Sequence, residues 1–396
     1  MPVNFTQIQQ QIRDKCRQAK GRQQEYLDRL DRARQLLQRH AADLEGLAER
    51  VQAAGEQDQR LRCAVPLREP LDSALPAPQV DAYPVLLAAD GSQVNPNRHD
   101  PVEFAVVNIG LIRIAPGRGE TPQETTSTEL FLFEDLESSS GPLTEELVAL
   151  TRDLYERREL AELAAREKDS PLVFTLTDGP LELFREPKGD ERFDQRFKDY
   201  LDVLEKMASM SVVTAGYVDQ PRADLVVRLL ELTLFRRDEL QRAGKERPLR
   251  GVRDQDLYRG LQPGERSAVF AIQSISGKPF RERLDGKLTP CFFYLNTGRV
   301  GHPWLARVEI PRWVAERAEL VGLLQASLLA QSRQMGSKAY PYALHRAHEV
   351  ALVTFQEKQQ LQTMIENELR RQGVEPGEKS HKQSAKDLEG RRRYGA

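Results

Sequence analysis

The sequence predicts a mixed α/β fold, a sheet flanked by helices, with a long N-terminal helical extension. Three observations carry this. Apolar residues recur at helical spacing through roughly the first fifty positions. Short apolar runs bounded by Asp, Gly or Pro follow from Val85, and beyond Pro142 strand-like and helical segments alternate. At 396 residues, 39% of them hydrophobic, the chain can bury a real core, as one large domain with appendages or as two.

The N-terminal pattern runs through Ile8, Ile12, Cys16, Tyr26, Leu30 and Leu37 to Leu44, Leu47 and Val51. It predicts a long amphipathic helix or helical hairpin, ended by Gly55 and the proline-containing run 66–84, so residues 1–80 form a helical region. Residues 85–89, 102–114 and 130–133 then read as three successive strands, a meander. Residues 142–168 are helical, with Leu143, Leu147, Leu150, Leu154 and Leu163 on one side.

Strands at 172–177 and 211–217 alternate with helices at 193–207 and 223–235. The charged, glycine-punctuated stretch 236–290 reads as an elaboration on the sheet around a short strand at 268–272. Late strands at 290–295 and 305–310 precede helices at 311–332 and 341–371, closing a domain over 81–373. Residues 374–396 form a polar tail, ending in Arg391, Arg392 and Arg393, that is expected to be disordered.

Cys16, Cys63 and Cys291 are widely spaced with no CxxC pair, which excludes a disulfide framework or thiolate zinc site and leaves Asp, Glu and His as metal ligands. The 58 basic and 60 acidic side chains nearly balance, so nucleic-acid binding needs a local basic surface. No uncharged apolar stretch reaches the ~18 residues of a membrane span and the N-terminus lacks a secretory leader's apolar core, so a cytoplasmic protein without membrane association is expected.

One grammar occurs twice: LLAADGS places Asp90, and VFTLTDGPL places Asp178, at the end of an apolar run before glycine. Carboxylates gathered at strand ends repel unless a cation lies between them, which points to a divalent-metal site, with oxygen ligands favouring Mg²⁺ or Mn²⁺. Glu159, with Glu156 and Glu162 at helical spacing, supplies a further carboxylate before the second aspartate. In YPYALHRAHEVALV, His345 and His348 share one face of a helix, and His348 is the candidate ligand or acid/base group. Lys338, Arg346, Arg299 and Arg307 are the candidate phosphate contacts.

These blocks, with VTAGYVDQPRADLVVRLL, LQPGERSAVF and ARVEIPRWVA in the same order, make the chain resemble the NurA family of DNA-repair nucleases over roughly residues 83–373. The resemblance implies a ribonuclease-H-like core and metal-dependent 5′ to 3′ exonuclease and endonuclease activity on DNA, with Mn²⁺ preferred and Mg²⁺ as an alternative. It further implies a homodimer working with a hexameric HerA-type translocase. It places the metal ligands on Asp90, Glu159, Asp178 and His348, with Tyr340 positioning water or phosphate; Glu156 or Glu162 competes with Glu159, and Tyr342 with Tyr340. Two other readings stand beside it. One is a non-catalytic scaffold regulating a translocase. The other is an actin-like phosphotransferase, which would need a glycine-rich adenosine loop after the second aspartate that the sequence lacks.

Overall fold

The N-terminal pattern builds separate helices rather than one rod. A computed structural model describes residues 3–17, 19–81, 83–138, 141–167, 169–183, 191–336 and 338–377. Its main elements begin with α1 (Phe5–Cys16), α2 (Ala19–Arg39), α3 (Leu44–Gln57), β1 (Cys63–Pro66), β2 (Val85–Val94), β3 (Ala105–Ile114), β4 (Gln123–Phe131) and α4 (Glu145–Arg166). They continue with β5 (Val173–Asp178), α5 (Glu191–Ser209), β6 (Val213–Val218), α6 (Leu225–Leu232), β7 (Phe270–Gln273), β8 (Pro290–Asn296) and β9 (Leu305–Pro311). Three helices close the series, α7 (Ala318–Gln334), α8 (Tyr342–Ala351) and α9 (Phe355–Arg371).

The chain divides into two compact units, Met1–Gln79 with Leu181–Leu183 and Tyr217–Leu329, and Val80–Pro180 with Phe184–Gly216 and Ala330–Ala396. In the first, strands run in the order β1-β7-β8-β9, each pair antiparallel. Leu47, Val51 and Ala54 of α3 and the apolar residues of the fully buried α6 cover Cys63, Phe270, Phe292 and Tyr294, removing a continuous apolar surface from water. The charged stretch 236–290 is integral here, since it supplies β7 and the buried Leu240, Leu249 and Leu257.

The second unit carries the order β6-β5-β2-β3-β4. β2, β3 and β4 form the antiparallel meander, and β5 returns through α4 to lie parallel to β2. Three antiparallel strands with the fourth laid beside the first make this sheet ribonuclease-H-like, and α4 and α8 pack against β2 and β3.

Several boundaries differ from the sequence reading. β2 runs through Asp90, Gly91 and Ser92 to Val94, because cross-strand pairing with β3 continues to Val106. β4 extends from Gln123, although all but one of its residues before Phe131 are exposed and carry no apolar alternation. β1 has little sequence signal, because its four residues run straight into a proline-rich segment. The expected helix over 341–371 is broken at 352–354, where Thr354 caps α9 and Glu357 returns a carboxylate oxygen 2.7 Å from the Thr354 amide. Arg391, Arg392 and Arg393 lie outside the described residues.

Candidate active site

The site is built on the middle of β2. Ala89 pairs with Thr177 of the parallel β5, so Asp90 and Asp178 occupy the next step of adjacent strands, whose backbones are about 5 Å apart. In-register positions of parallel strands share one face of the sheet. Asp178 is the exposed last residue of β5, so the sheet opens to solvent beside Asp90.

On that face lies α8. Gly110 pairs with Asp90 across the ladder, and a side chain there would strike the backbone of Ala347 and Ala351; glycine lets the helix settle onto the sheet. A row of polar residues then fixes its end. Ser92, Asn108 and Thr128 are successive cross-strand partners on β2, β3 and β4. The Ser92 hydroxyl (2.5 Å) and Asn108 amide (2.8 Å) both donate to the Ala351 carbonyl, one of the acceptors left open at a helix C-terminus. Thr128 donates in turn to the Asn108 side-chain oxygen at 2.6 Å. One turn back, His348 places Nδ1 2.6 Å from Asp90 Oδ2, while Asp90 Oδ1 accepts the Gly91 amide at 2.9 Å. The Asp90 carboxylate is 15% exposed and the imidazole 55%, so the pair joins a sheltered anion to a solvent-reachable ring.

On the opposite face, α4 approaches at Gly91, where an added Cβ would lie 2.9 Å from Glu156 Oε1 and meet the Arg152 side chain. Burial first, then the charge of Asp153, push the Glu156 carboxyl well above the usual carboxylate range; Arg152 pulls the other way and Asp90 adds to the rise. Arg152 stands 2.9 Å from Asp153 and 3.6 Å from Glu156. Glu159, one turn on, instead accepts the Ser127 hydroxyl at 2.8 Å, and Glu162 is exposed. Of these three carboxylates, Glu156 is the one whose charge interacts with that of Asp90, from the α4 side of the sheet.

Tyr340 is half-buried just before α8, and Tyr342 begins that helix. The cations fare differently. Arg346 is held by Glu124 at 2.6 Å and by Glu349 at 2.5 Å. Arg307 is buried on β9 and paired with Glu309 at 2.7 Å, so it is a core ion pair and corrects the expectation of a solvent-facing phosphate contact. Lys338 and Arg299 are exposed. Gly91 and Ser92 stay within β2, where glycine gives α4 access and serine anchors α8.

The carboxylates of Asp90 and Asp178 on one face and of Glu156 on the other are oxygen donors of the kind a hard divalent cation takes, and the electrostatic cost at Glu156 is of the kind a cation relieves. Among the described residues, however, no three His, Cys, Asp or Glu side chains stand together as a finished cage, and Asp90 is engaged by His348.

A family model described as NurA domain matches residues 84–353. Among solved structures, the chain is similar to the NurA nuclease from Sulfolobus solfataricus, with 13% identity, a TM-score of 0.49, and coverage of 76% of this chain and 88% of that one. It is also similar to the catalytic domain of human Endonuclease V, with 12% identity, a TM-score of 0.33, and coverage of 81% and 98%. Endonuclease V from Ciona intestinalis follows with 10% identity, a TM-score of 0.29, and coverage of 79% and 96%. No curated protein matches the sequence.

Proposed function

Because the chain belongs to the NurA family, and so is a nuclease, we propose that it hydrolyses DNA at the Asp90–Asp178 centre with the help of a divalent metal. The observation that carries this is the register of β2 and β5, which sets the two aspartates side by side where β5 ends. Asp90, Asp178 and Glu156 would hold the ion, with His348 beside them. A bound Mn²⁺ or Mg²⁺ would supply Lewis-acid polarisation of the phosphate and a water of lowered pKa.

The remaining chemistry belongs to the chain. The Gly91 amide and His348 fix the two oxygens of Asp90, so that carboxylate is oriented before DNA arrives. His348 uses Nδ1 on Asp90, leaving Nε2 to hold or pass a proton at the reacting phosphate. Gly91 keeps the space between β2 and α4 in which Glu156 lies. Tyr340 positions water or a phosphate oxygen, and Lys338 meets the backbone of single- or double-stranded DNA. The finer reading is a 5′ to 3′ exonuclease with endonuclease activity, preferring Mn²⁺, acting as a homodimer with a HerA-type hexameric translocase in DNA end processing.

The test is incubation of the purified chain with end-labelled single- and double-stranded DNA in Mn²⁺, Mg²⁺ or EDTA. Shortening of the strands in metal, stopped by EDTA, is expected. Intact DNA in all three conditions would instead favour a scaffold that regulates a translocase.

A further inference from the structure

Away from the carboxylate centre, the first unit contains a cavity of about 310 Å³. Leu67, Val269, Ala315, Ala318 and Val321 give it an aliphatic lining, and among the described residues no aromatic ring contributes to its wall. Three arginines and two glutamates complete it. Arg266 is buried and grips Glu69 with both terminal nitrogens, at 2.8 and 2.7 Å, yet its Nε is buried without a hydrogen-bond partner. That nitrogen has no accessible surface, so Arg266 stands at the cavity as a fixed, buried cation held by Glu69.

Arg68 and Arg312 are exposed. Arg68 donates to the Glu316 carbonyl at 3.0 Å, and Arg312 Nε to the Glu316 carboxylate at 2.9 Å. Among the described residues no other side-chain hydrogen bond holds either guanidinium. The two glutamates thus offset two of the three cations and leave one positive charge, with free N–H groups suited to a forked contact with an oxyanion.

We propose that this cavity binds a small aliphatic carboxylate. Its volume is about twice that of an engineered cavity of ~150 Å³ that takes benzene, which suits a medium-chain acid or the C-terminal residue of a chain ending in leucine. The aliphatic wall selects against a nucleobase, which would seek a stacking ring, and the single excess charge selects against a dianion.

The test is calorimetric titration of the full chain with octanoate, N-acetylleucine, octanol and adenosine monophosphate, repeated on the Arg68→Gln/Arg312→Gln variant with its circular dichroism checked. Saturable one-site binding of octanoate or N-acetylleucine, weakened at least tenfold in the variant, supports the proposal, and the tighter of the two identifies the source. Absence of binding by both carboxylates overturns the proposal. So does equal affinity of wild type and a folded variant, or octanol or the nucleotide binding as tightly as the carboxylates. Because this readout involves neither DNA nor Asp90, its failure leaves the nuclease reading intact.

Discussion

The imidazole of His348 stands 2.6 Å from the carboxylate of Asp90, a contact made between residues 258 positions apart. It exists because a glycine at 110 lets α8 lie on the sheet and because Ser92 and Asn108 hold the end of that helix. Replacing His348 by Gln should lower kcat for DNA cleavage by roughly 10²-fold, in the range of a lost proton-transfer group, with little change in thermal stability because the ring is half-exposed. Steady-state cleavage rates and a melting curve check this together; undiminished kcat would remove His348 from the chemistry.

Glu156 and Glu159 should separate cleanly. Glu156 is buried with its carboxyl raised above the usual range, so ionising it costs stability. The sign follows from linkage: a carboxyl with a raised folded pKa contributes most below its unfolded pKa, and that contribution is lost as pH rises through the folded value. Glu156→Gln should therefore keep or raise the melting temperature at neutral pH while lowering cleavage by at least about 10²-fold, the scale of a lost electrostatic group. Glu159→Gln, which loses only the Ser127 contact, should stay within a few-fold of wild type.

Asn108→Ala should destabilise the protein by about 1–3 kcal/mol, because the buried amide serves both the Ala351 carbonyl and Thr128. Gly110→Ala should cost a similar ~1–3 kcal/mol through overpacking against α8. Denaturant unfolding measures both, and both should also lower activity by shifting His348. Full stability with normal cleavage in either variant would contradict the account of how α8 is seated.

In the other unit, buried Asp254 accepts the amides of Val226 and Val227 at the start of α6 and the Tyr294 hydroxyl. Burial dominates and pushes its pKa up to about 6. With the folded pKa above the ordinary 3.8, its contribution is complete below pH 3.8 and falls away as pH rises through about 6. The stability of wild type relative to Asp254→Asn should thus fall by about 2 kcal/mol between pH 4 and pH 7, since the unfolded carboxyl is already partly ionised at pH 4 and each pKa unit is worth about 1.4 kcal/mol. A pH-independent difference would show that Asp254 does not titrate in this window.

How much of this was legible in the sequence varied with the physics of each element. The buried strands around Leu87, Phe174 and Phe292 announce themselves as apolar runs, because burial on both faces imposes that composition. β4 does not, since Glu124, Thr126 and Thr128 face solvent or polar partners. Asp90 and Asp178 were visible as a repeated pattern, but Asp-Gly ordinarily marks a turn, and only the pairing of β2 with β3 shows the strand continuing. The choice among Glu156, Glu159 and Glu162 depends on how α4 is rotated about its axis, which a helix charged along much of its length does not encode; Gly91 was the one local signal of close approach. Of the two carboxylates that hold Arg346, Glu349 stands three residues on and is visible in the sequence, whereas Glu124 lies 222 residues away. The break before α9 was within reach, since Thr354 and Glu357 spell a capping box.

The central claim is that Asp90 and Asp178 form the metal-dependent cleavage centre. The most direct measurement compares wild type, Asp90→Asn and Asp178→Asn on the same end-labelled DNA at matched Mn²⁺, with melting temperatures recorded alongside. The account predicts EDTA-sensitive cleavage by wild type and a loss of at least about 10³-fold in each folded variant. Cleavage at the wild-type rate by either variant, in the same metal, would contradict it.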